Sequence, residues 1–198
     1  MHQFTDPGGR TRAAIVALSI YMVLNLVAAA LMVAFPPDPV EPGLADLVAA
    51  LDFLILIACF ILVGRWIYRA SANAHAVGRE LSITPGWAVG WYFVPLANLV
   101  MPYQAMRETW DSSHESAGLE ADRDTPLLPW WWGLWLVTNI VSNVAAWSSG
   151  LGGPPTGLFL FANLVAALLN VPLCLILIRI ARRLEHAQRL AADREIFA

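Results

Sequence analysis

Few residues in the apolar part of this chain can do chemistry, and Asp52 is the foremost. It lies inside the hydrophobic run 47–64. A charged Asp near the centre of a bilayer costs at least about 2.5 kcal/mol, so Asp52 must find partners, stay protonated or face water. Four asparagines offer themselves. Asn139 and Asn143 are four residues apart and Asn163 and Asn170 seven apart, so each pair shares a helical face. One reading lets Asp52 titrate or bind a cation in a small outer cavity bounded by Asn143 and Asn163. The commoner role of such residues is to join helices, at about 0.6 kcal/mol per hydrogen bond.

Other chemistry is sparse. Cys59 and Cys174 both fall in apolar runs, where free cysteine behaves as a small packing residue, so neither a disulfide nor a thiolate site is expected. His2, His75, His114 and His186 show no ligand spacing, and no metal is expected. No nucleotide loop, zinc-protease motif or nucleophile elbow occurs. Glu80, Glu108 and His75 form no recognisable arrangement, so neither a cofactor nor enzymatic activity is expected.

The elements that must position these residues are hydrophobic. Of 198 residues 58% are hydrophobic and 14% charged, which indicates an all-α integral membrane protein, read as a single membrane domain over 1–198. The charges are segregated along the chain, and the twelve basic residues, all Arg, assemble no surface for nucleic acid. Arg10 and Arg12 precede the first apolar run, 13–35, whose length of about 34 Å suffices for a ~30 Å hydrocarbon core. A signal peptide is the competing reading, and the run is longer than the usual signal core. The connector 36–46 carries three acidic residues. A second span, 47–64, continues as a helix to about Gly78 and sets Arg65, Arg69 and Asn73 on one face. Further spans run 127–147 and 157–178, followed by a cytoplasmic tail at 179–198. Trp130, Trp131 and Trp132 read as an interfacial anchor.

Between the second and third of these spans lies TPGWAVGWYFVPLANLVMPYQAMRETW, residues 84–110. Its apolar core, 87–101, is short for a span, and Gly86, Gly90, Pro95 and Pro102 interrupt it. Four crossing helices with both termini cytoplasmic, and this segment entering and leaving on one side, would leave all twelve arginines inside. Were the segment to cross, the split would be five against seven. The preferred reading is therefore four transmembrane helices plus a re-entrant or interfacial segment at 86–102. Irregular backbone at membrane depth is tolerated only when it is buried in protein or lines a wet cavity.

Arg69, Asn73 and Gly78, then Thr84-Pro85-Gly86-Trp87, Gly90-Trp91, Pro95, Asn98, Pro102-Tyr103-Gln104, Arg107-Glu108 and Trp110 form a pattern covering about a quarter of the chain. In these residues the chain resembles a bacterial family of multi-pass membrane proteins known as domain of unknown function 4328. The resemblance implies a multi-pass protein of the bacterial inner (plasma) membrane, and it brings no activity or catalytic residue.

Three functions are open to such a chain. The first is a scaffold or regulatory protein that offers Arg65, Arg69, Arg79, Arg107, Arg182 and Arg183 to anionic lipid or to a membrane protein partner, at about 1 kcal/mol per Arg. Setting orientation is the ordinary job of such arginines. The second is a small channel or transporter that uses the re-entrant segment, with Asn98, Gln104 and the backbone near Pro95 along the path. Four spans are few for that task, so it requires a homo-oligomer. A membrane enzyme is third.

Overall fold

The computed structural model describes residues 3–35, 43–77, 81–120, 124–149 and 157–197. Helices follow one another as α1 (Gly8–Ala34), α2 (Leu44–Val77), α3 (Pro85–Gly90), α4 (Met101–Ser116), α5 (Leu127–Ser149) and α6 (Gly157–Phe197). Two 3-10 turns, Trp91–Phe93 and Ala97–Leu99, stand between α3 and α4. Among the described residues there is no strand. Three helices, α1, α2 and α6, are long and apolar enough to cross a membrane. The third expected span, 127–147, forms a helix of 23 residues that is not among those three. The second span does run on unbroken, to Val77, and α6 carries the last span into the tail without interruption, through Pro172. The Gly78 end of that extension, Arg79 and most of the connector at 36–42 lie outside the described residues.

Contacts divide the chain into two compact units. One comprises Met1–Ile15, Ile61–Trp130 and Leu177–Ala198; the other comprises Val16–Phe60 and Trp131–Ile176. The first has a mixed interior. Trp66, Trp110, Ile180 and Leu184 are buried there beside Thr11, Asn73, Ser113, His114 and Gln188. Ala117, Ala187 and Ala191 form a tight cluster, with Val77, Leu119 and Leu190 against it.

The second unit has the opposite pattern. Its buried residues are mostly small, including Ala17, Ala28, Ala29, Cys59, Ala145, Ala162, Ala167 and Cys174, while Val23, Phe53, Leu54, Ile140, Phe161 and Leu168 face outward. Large apolar side chains outside and small ones between helices suit a hydrocarbon solvent, in which close backbone approach replaces the hydrophobic effect. Trp131 and Trp132 belong to this interior, and Trp132 stacks on Trp135 at 4.6 Å. Of the expected anchor only Trp130, in the first unit, is exposed.

Candidate functional site

The central segment folds as a hairpin whose breaks are placed with purpose. Pro85 opens α3 after the extended Thr84, and Pro102 stands in the first turn of α4. Both are positions where the missing N–H of proline leaves no bond unmade. Trp87 and Trp91 stack with centroids 4.4 Å apart. Gly90 leaves the room, since a Cβ there would sit 3.1 Å from Cε3 of Trp87. At the tip, Leu96 has φ +65° and ψ −46°, and the Ala97 N–H donates to the Pro95 carbonyl at 2.8 Å. That is a γ-turn of the rare, positive-φ hand, which a leucine adopts only under strain. Asn98 closes the tip by donating Nδ2 to the Tyr92 carbonyl at 3.4 Å.

Glu108 clasps the base of the hairpin. Its carboxylate accepts the backbone N–H of Ser82 at 3.1 Å, that of Ile83 at 3.2 Å, and the Ser82 hydroxyl. Trp110, fully buried, stacks on His114 at 4.0 Å, and His114 Nδ1 meets the Trp110 carbonyl. The tip carries exposed Trp87, Phe93, Leu96, Leu99 and Val100, with Phe93 77% and Leu96 82% exposed. No charged residue occurs from Leu81 to Met106. Gln104 lies exposed on α4.

Behind the hairpin, Asn73 is the hub of the first unit. Its Nδ2 donates to the Thr5 carbonyl (2.9 Å) and to Gln188 Oε1 (3.3 Å), and its Oδ1 accepts the Thr5 N–H (3.2 Å). Gln188 Nε2 in turn donates to the Ala70 carbonyl and to Ser113 Oγ. The segment before α1, with α2, α4 and α6, is thus joined through two buried amides. Arg69 stands one turn before Asn73 and donates from Nη1 to Thr5 Oγ1 at 3.0 Å; its Nε is buried without an acceptor.

A model described as Domain of unknown function (DUF4328) matches residues 42–186. The chain belongs to the DUF4328 family. No curated protein and no solved structure matches it. The residues that carry the resemblance to DUF4328 thus have structural places: Arg69 and Asn73 tie down the segment before α1, Glu108 clasps the hairpin, and Pro85 and Pro102 start its helices.

The basic residues are distributed unequally. Arg107 lies 3.7 Å from Asp111, and Arg189 pairs with Asp6 and Glu185. Arg65, Arg182 and Arg183 are exposed, and no carboxylate pairs with them among the described residues. Arg79 lies outside those residues.

The second unit rearranges the expected polar cluster. Asp52 accepts from Asn25 Nδ2 at 3.0 Å, Asn25 Oδ1 accepts from Asn170 at 3.3 Å, and the Cys174 thiol lies 3.5 Å from Asn170 Oδ1. Asn139, Asn143 and Asn163 instead donate to the carbonyls four residues back in their own helices, those of Trp135, Asn139 and Phe159. Asp52 is therefore partnered by Asn25 and not by Asn143 or Asn163. An Asn side chain near a helical carbonyl satisfies itself locally, and α1 supplies the amide that reaches across. Sequence spacing carries no signal for a pair 27 residues apart on different helices. The second oxygen of Asp52, Oδ1, is buried without a partner. Among the described residues no group of three or more His, Cys, Asp or Glu side chains is placed to hold a metal ion.

Proposed function

We propose that this DUF4328 chain is a scaffold or regulatory protein of the bacterial inner membrane whose basic cytoplasmic face engages anionic lipid or a partner. In this reading four helices cross, both termini are cytoplasmic, and the uncharged hairpin seats Phe93, Leu96, Leu99 and Val100 in the cytoplasmic leaflet. The observation that carries it is that Arg65, Arg182 and Arg183 are exposed and pair with no carboxylate among the described residues, while Asp111, Asp6 and Glu185 are engaged by other arginines. Exposed arginines at an anionic leaflet contribute about 1 kcal/mol each. The test is the thermal stability of the full chain in vesicles of phosphatidylcholine with and without phosphatidylglycerol. Phosphatidylglycerol should raise the melting temperature, and Arg182→Gln with Arg183→Gln should remove much of that rise. An unchanged rise would count against the reading.

A small oligomeric channel or transporter is the second reading, favoured by the unpartnered oxygen of Asp52 within the Asn25–Asn170 ladder. A carboxyl oxygen left unmatched in an apolar unit calls for a proton, a cation or water. Asp52→Asn in reconstituted vesicles tests it. Loss of pH-dependent flux with folding intact supports transport, and unchanged flux and pH response removes the titration.

A further inference from the structure

We infer that Arg10, Arg65 and Arg69 together bind a phosphate-bearing anion. The inference rests on the proposed basic face and gives it one defined site. Arg65 and Arg69 are one turn apart on α2 and share a face. The bond from Arg69 to Thr5 Oγ1, and the two between Asn73 and the Thr5 backbone, hold the segment before α1 against that face. Arg10 follows in the first turn of α1, five residues after the tethered Thr5. Burial, then the Arg69 charge and then the Arg65 charge, lower the pKa of Arg10.

Three like charges drawn together need a counter-ion, and none is provided among the described residues. The nearest acid along the chain, Asp6, accepts from Arg189 at 3.1 Å and from the Gly8 N–H at 3.2 Å. No carboxylate pairs with Arg10, Arg65 or Arg69 among the described residues. Thr5 gives Arg69 an acceptor but no negative charge, and Arg69 Nε is buried with no acceptor at all. A half-buried guanidinium in this state is satisfied by an anion from outside, and its planar fork matches the oxygens of a phosphate. Two sources fit. Arg10 stands three residues before the apolar run at 13–35 and Arg65 directly follows the run at 47–64, the level at which lipid headgroups lie. The exposed Tyr68 beside them is a residue suited to that level. A soluble phosphate would offer the same chemistry.

The test is native mass spectrometry of the full-length protein in neutral detergent, titrated with phosphatidylglycerol, phosphatidylcholine or inorganic phosphate. Arg10→Gln with Arg65→Gln is the main variant, since neither side chain holds another element in place. A melting curve in detergent checks its fold. Arg182→Gln with Arg183→Gln is the comparison. The expected result is at least tenfold weaker phosphatidylglycerol binding in the main variant, an unchanged melting temperature, and a tightest lipid site intact in the comparison variant. If millimolar inorganic phosphate displaces the lipid from the native protein and not from the main variant, the site stands with a soluble anion as its source. Equal binding of both ligands by the native protein and the main variant overturns the site. In that case loss in the comparison variant alone would still leave the broader basic-face reading in place, and loss in neither would remove both.

Discussion

Leu96 and Gly118 are the two described residues with positive φ, and they call for opposite substitutions. At Leu96 the side chain is exposed and the backbone strained, so Leu96→Gly should raise stability in detergent by about 1 kcal/mol, read from a thermal melt. At Gly118 the backbone ends α4 in a left-handed cap. The Leu119 N–H donates to the His114 carbonyl at 2.8 Å and the Gly118 N–H to that of Glu115 at 2.9 Å. A Cβ there would also collide with the Arg194 guanidinium. Gly118→Ala should therefore lower stability by about 1–2 kcal/mol in the same melt. Glu108→Ala removes one carboxylate that serves three donors. Hydrogen bonds to a charged group contribute about 1.5–3 kcal/mol, and two of the three, both from Ser82, are exposed, so a loss of about 1–2 kcal/mol is expected. If Glu108→Ala melts with the native protein, the clasp contributes nothing.

Helices that touch through buried amides respond differently from helices that touch through alanine. Asn73→Ala deprives Thr5 and Gln188 of their partner without opening a large cavity. It should free the segment before α1, so that the Thr5 amide exchanges hydrogen with solvent at least tenfold faster. Exchange at the native rate would mean that the Arg69 bond to Thr5 and the Arg189 pair with Asp6 hold the segment without Asn73. At this scale the sequence was legible where hydrophobic length and helical spacing carry the signal: the apolar runs that became α1, α2 and α6, and the extension of α2 to Val77. Arg69 and Asn73 share a face as their spacing requires, and both reach Thr5. What could not be read were pairings between elements. Asn25 with Asp52 and Asn73 with Gln188 depend on which faces meet, and no periodicity within one helix records that. The tryptophan run was legible only in part, for a related reason. A run of three covers almost a full turn of helix, so some of its rings must point inward.

Over the whole molecule, membership of DUF4328 and the three long apolar helices support a membrane protein, and the central claim is that the hairpin at 86–102 enters and leaves the bilayer on one side. Its uncharged sequence, exposed apolar tip and Glu108 clasp suit a device that dips into a leaflet while its two ends stay together. A crossing would separate Ser82 from Glu108 by the thickness of the membrane. The most direct test is impermeant thiol labelling of single cysteines at Glu120 and Asp193, each in a cysteine-free background and applied from either side of oriented membranes. Both positions are exposed, one between the hairpin and α5 and one near the end of α6. The account predicts that both label only from the cytoplasm. Labelling of Glu120 from the outer side would place the hairpin across the membrane and contradict it.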